Sequence, residues 1–234
     1  MRKILFVIIW AIAFAYVEAA VVEYLRALYY PPDSGGFRFP LLTLQQIITL
    51  GQDHWTRVII ELGRELSTLI MLAAVALVAA KNAREWLGYF MVAFGVWDVF
   101  YYVWLKIFLD WPASLMTWDL LFLVPVPWVS PALAPVIVAL AMTASGLTVL
   151  FCEARAKTLA TSWTDWILIT AGGVIVIVSF CLDYENIMAG GLPAPFNWPL
   201  FFLGLLTAAA TFTGILWRNR SVGQSGTPPE KLQT

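Results

Sequence analysis

The chain has 234 residues, 61% of them hydrophobic and only 12% charged, where soluble domains carry about 25% charged residues. Its apolar residues fall in long runs joined by short polar links, which excludes a soluble globular domain and specifies an all-α integral membrane protein with several spans. A formal net charge of −1 excludes the basic balance of a nucleic-acid binder. The expected partners are the lipid bilayer and another membrane protein.

The first apolar run covers residues 4–28. Its basic start and Ala13-Phe14-Ala15 imitate a signal peptide and cleavage site, but the apolar character continues past Ala15, so we read an uncleaved span. The run holds Glu18 and Glu23. Glu23 has Arg26 three residues on and reads as an interfacial ion pair. Glu18 lies about 140° around the helix from Glu23 and has no local partner. Residues 31–52 start with Pro31-Pro32 and Gly35-Gly36 and continue as LLTLQQIITL, an amphipathic segment suited to the outer interface.

The second span, 53–80, would be roughly 40 Å long, more than the roughly 30 Å of hydrocarbon. Its first turns therefore stand in the outer interface, with Asp53 as N-cap. His54, Arg57, Glu61, Arg64, Glu65 and Thr68 share one face of this helix. Glu61, Arg64 and Glu65 read either as an ion-pair knot that fixes helix packing or as functional charges.

The third span, 85–108, contains GVWDVFYYVWLK, which sets Asp98 beside Tyr101 and Tyr102. A tyrosine hydroxyl can donate to a buried carboxylate. Trp97, Trp104, Trp111, Trp118 and Trp128 read as interface anchors. Residues 110–130 are too apolar for an ordinary loop and too broken by Pro112, Pro125 and Pro127 for a span. We expect a half-helix over 113–124, re-entrant or interfacial, with Asp119 in TWDLLFLVPVPW acting as a lid. His54, Arg57 and Asp119 are thus candidate gate or outer-face residues.

The remaining spans, 131–152, 163–182 and 197–217, carry no charge in their interiors. Small residues such as Ala210 and Gly214 are expected to let helices approach. Residues 218–234 read as a disordered cytoplasmic tail. Together 1–217 form one six-span domain. Cys152 and Cys181 fall at opposite ends of successive spans, too far apart to bridge.

With the N-terminus inside, nine lysines and arginines lie on the inner side and five on the outer, so both termini are expected in the cytoplasm. At about 1.5 Å per residue, Glu18, Glu65 and Asp98 all stand roughly 20 Å above the inner ends of their spans. Intramembrane carboxylates at one depth are functional candidates.

Glu18, Glu61, Arg64, Glu65, Asp98 and Tyr102 are accordingly the candidate ion- or substrate-binding set. Glu18, Glu23, Glu61, Glu65 and Asp98 outnumber Arg26, Arg57 and Arg64 by two. That excess calls for protons or a cation. Oxygen ligands favour a hard divalent ion on Glu18, Glu65 and Asp98, and no organic cofactor is expected.

The first functional reading is therefore binding or transport of protons, a hard cation or a small solute. A non-catalytic subunit or assembly factor of a membrane complex is the alternative. A membrane-embedded enzyme acting on an outer-leaflet lipid is the third reading, without a nucleophile motif, HExxH or phosphate loop to support it. The stretches YVEAAVVEYLR, ELGREL, GVWDVFYYVWLK and TWDLLFLVPVPW resemble a family of uncharacterised bacterial multi-pass inner-membrane proteins. The resemblance implies a bacterial plasma-membrane location and brings no activity with it.

Overall fold

The structure, a computed structural model, describes residues 2–29, 52–155 and 159–222. The amphipathic segment expected over 31–52 lies outside the described residues except for residue 52, as does the tail beyond residue 222. The side chains of Arg26, His54 and Arg57 are also outside them.

Helices α1 (Arg2–Tyr29), α2 (Gln52–Ala79) and α3 (Ala83–Leu109) are followed by strands β1 (Trp118–Phe122) and β2 (Trp128–Pro131). Helices α4 (Leu133–Ala154), α5 (Trp163–Cys181), the short α6 (Tyr184–Met188) and α7 (Trp198–Val222) complete the chain. Six helices are long and apolar enough to cross a membrane, one for each apolar run in the sequence.

Local chemistry sets their ends. Asn82 caps α3 by accepting the Glu85 amide at 2.9 Å, and Glu85 accepts the Lys81 amide at 2.8 Å. At the other end of α3, Asp110 adopts a left-handed φ of 52° and donates its amide to the Lys106 carbonyl. The Lys106 ammonium also holds the exposed Asp110 carboxyl below the usual carboxylate range. A reciprocal capping box opens α5, with Ser162 and Asp165 each accepting the other's amide.

The start of α1 and the last turns of α7 lie at one end of the bundle, the near end. There Lys3 donates to the Ala79 carbonyl at 2.7 Å, Arg84 faces Glu153 and Arg218 pairs with Asp165 at 2.5 Å.

The helices pack as two bodies. In the first, α3 is central and lies against α1, α2 and α4. In the second, α5 and α7 form a pair that meets the rest mainly through β2 and α4. Glycines permit the tightest approaches. A Cβ on Gly204 would stand 2.6 Å from the Gly172 carbonyl oxygen, and one on Gly146 would stand 2.6 Å from that of Gly88. Backbones this close gain dispersion contacts, the main attraction left to helices in lipid.

Three expectations are corrected. Residues 113–124 form no half-helix. They supply β1, which pairs antiparallel with β2 in the register Trp118↔Pro131, Asp119↔Ser130, Leu120↔Val129 and Phe122↔Trp128. Pro125 and Pro127 cannot continue a helix, and the Trp, Leu, Phe and Val residues around them suit a buried strand pair. Ala210 and Gly214 do not make the close helix contact, since Gly214 faces open space; Gly172 and Gly204 make it instead. Trp97 is no interface anchor, because it is 6% exposed and packs in the main core with Phe14, Leu72 and Val92.

Candidate functional site

Arg64, Glu65 and Thr68 of the polar stripe of α2 face α1, α3 and the hairpin, the surroundings a charged helix face needs in hydrocarbon. Glu18 is 5% exposed. It accepts from the Arg64 guanidinium and from the Thr68 hydroxyl at 2.6 Å. Arg64 also reaches Glu61, with Nη2 at 2.5 Å and Nε at 3.0 Å. Arg64 is thus shared by two glutamates from two helices. A carboxylate buried this deeply needs such company, because desolvating an unpaired charge costs several kcal/mol, about 3–5 when one partner of a buried pair is removed.

Glu65, also 5% exposed, does different work. Its two oxygens accept the Leu123 amide at 3.1 and 3.0 Å. Asp119, 3% exposed, accepts from the Tyr102 hydroxyl at 2.9 Å and from the Leu120 amide at 2.9 Å. One carboxylate on α2 and one tyrosine on α3 therefore fasten the hairpin to the bundle, and the amide just past β1 gains a partner where water is scarce.

Asp98 differs from all of these. It is half-buried, and among the described residues it has no hydrogen bond or ion pair with a side chain or amide. It borders a cavity of about 710 Å³ between the two helical bodies. Glu18, Glu65, Asp98 and Asp119 line the far end of this cavity, and Arg84, Glu153 and Asp165 line its near end. Apolar side chains such as Met91, Met142 and Phe212 line the length between them. The wall includes Leu66 and Leu69 of α2 and Trp166 and Ile177 of α5, all exposed large apolar side chains. These residues leave much of their surface uncovered by other side chains.

The expected residues largely converge. Glu18, Arg64, Glu65, Asp98, Tyr102 and Asp119 all line this one cavity. Glu61 stands behind Arg64 and does not line it. Among the described residues, no group of three His, Cys, Asp or Glu side chains stands close enough to hold a metal ion. Glu18, Glu65 and Asp98 share a cavity wall but make no ligand set among the described residues.

Sequence reasoning missed Thr68 as a direct partner of Glu18, although its place on the polar face of α2 was the available signal. It also missed the near-end group of Arg84, Glu153 and Asp165, which stand at the ends of their helices.

Compared with family models, with curated proteins and with solved structures, the chain matches none.

Proposed function

We propose that the protein binds an amphipathic molecule within the bilayer and carries it between the membrane and the far end of the cavity. The apolar body lies along the cavity, and the polar head rests among the carboxylates. One observation carries this reading: a single cavity of about 710 Å³ joins a long apolar wall to a cluster of buried acids at one end. Ligand sites of several hundred Å³ with few convergent polar groups are the usual form of a small-molecule pocket. The predominance of apolar side chains along the cavity, among them Met91, Met142 and Phe212, supports arrival from lipid rather than from water.

The same carboxylates serve the head of the molecule in this reading, not a metal ion. The excess of basic residues at the near end, among them Lys3, Lys81, Arg84 and Arg218, supports cytoplasmic termini. The sequence resemblance supports a bacterial plasma membrane.

Native mass spectrometry of protein purified in mild detergent tests the reading. The wild type is expected to carry a stoichiometric adduct of lipid-like mass. Ala141→Phe, which fills part of the cavity wall, is expected to lose it while remaining monodisperse and helical. A wild type without any adduct, or an adduct indifferent to Ala141→Phe and to Met91→Trp, would refute it.

A further inference from the structure

Resting on that reading, we propose that the occupant carries a flat unsaturated ring, which lies in the far half of the cavity against the rings of α3 and of the hairpin.

The walls divide by chemistry. The cavity follows α3 from Arg84 to Tyr102, about 27 Å at the helical rise. Its near half is mostly aliphatic, with Leu87, Met91, Val149 and Ile169 on the wall and Trp166 and Phe212 as the rings there. In the far half Phe94 and Tyr101 stand two turns apart on one face of α3, and Phe122 and Trp128 come from the hairpin. All four are half-buried, so each keeps ring surface that a molecule in the cavity can cover.

These four rings are held in place before anything binds. The buried Trp97 packs against Phe94 and Tyr101, with centroids 5.6 and 6.2 Å away. Phe122 and Trp128 are register partners across the hairpin and meet edge to face at 5.5 Å. Trp128 in turn stacks on the buried Phe180 at 6.2 Å. Rings already braced lose little freedom on binding, which raises affinity without any new contact.

The lipid setting makes such rings selective. A molecule that leaves lipid for a wall of equal apolarity gains no hydrophobic free energy. To displace the bilayer's own acyl chains it needs contacts that those chains cannot make. Ring quadrupoles supply them, because offset or edge contacts between two rings are favourable beyond the area they bury. A saturated chain meets the same walls through dispersion alone.

Two probes test this, N-hexadecylbenzamide and N-hexadecylcyclohexanecarboxamide. They share a chain and an amide and differ in the saturation of the ring, and the saturated ring is the bulkier. Their binding to purified protein is read by native mass spectrometry in one detergent. The wild type is expected to bind the benzamide about three- to tenfold tighter, the scale of one ring pair. Tyr101→Leu and Trp128→Leu should each bring that ratio towards one. Tyr101→Phe, which keeps the ring, and Phe212→Leu, in the near half, should keep the ratio of the wild type. Retention volume and helical circular dichroism check that the variants fold.

Equal affinities in the wild type, or a preference for the saturated ring, would overturn the ring assignment and leave the amphiphile reading standing. A ratio unmoved by both Tyr101→Leu and Trp128→Leu would overturn its placement in the far half. Binding of neither probe would overturn this proposal together with the reading beneath it.

Discussion

Arg64→Gln removes the guanidinium that Glu18 and Glu61 share. Glu18, at 5% exposure, then keeps, among the described residues, only the Thr68 hydroxyl, 2.6 Å away. Breaking a buried ion pair from one side costs about 3–5 kcal/mol. The Arg64 side chain retains 25% exposure and Thr68 still donates, so the low end applies, a loss of about 3 kcal/mol. The assay is SDS-driven unfolding in mixed micelles, followed by far-ultraviolet circular dichroism.

The informative variant is the double one, Glu18→Gln with Arg64→Gln. It removes the orphaned charge as well as its partner, so it should be more stable than Arg64→Gln alone by about 1–2 kcal/mol, within the range of coupled neighbours. Two results would refute the reasoning. One is a loss below about 0.5 kcal/mol for Arg64→Gln, the scale of an ordinary surface substitution. The other is a double variant no more stable than the single.

Gly204→Val should destabilise the α5–α7 pair by about 1–3 kcal/mol, the usual cost of overpacking, because its Cβ would meet the Gly172 carbonyl oxygen at 2.6 Å. Gly214→Val, on the same helix but facing open space, should change stability little in the same unfolding assay. Glu65→Leu deletes the acceptor of the Leu123 amide, and a buried donor left without a partner costs about 1–3 kcal/mol. Amide exchange read by mass spectrometry should then speed up by about tenfold or more across residues 118–131, with α3 and α4 unchanged.

The six spans were legible because a span must be a run of about 20 apolar residues, and hydrocarbon tolerates little else. The gathering of Glu18, Glu65 and Asp98 on one cavity was legible too, since a constant rise per residue turns sequence position into height along a helix. Lateral relations were not legible. Glu18 looked partnerless because its partner, Arg64, lies 46 residues away on another helix.

The hairpin was misread for a related reason. TWDLLFLVPVPW is apolar, short and interrupted by proline, and local pattern does not separate a half-helix from a strand in such a run. What decides is distant: the contacts of Leu123 with Glu65 and of Tyr102 with Asp119. The choice of Ala210 and Gly214 over Gly172 and Gly204 failed in the same way, since composition shows that a helix has small residues but not which of them faces a neighbour. The cavity left no sequence signal, because it is a gap between bodies and belongs to no segment.

That gap has a thermodynamic consequence. One wall belongs to α3 and α4 and the other to α5 and α7, which meet directly only over a limited area. Any molecule that fills the space touches both, so its binding free energy adds to their mutual adhesion. Occupancy and cohesion are then linked quantities. A filled molecule resists parting of the α5–α7 pair, and whatever loosens that pair weakens the grip on the occupant to the same degree.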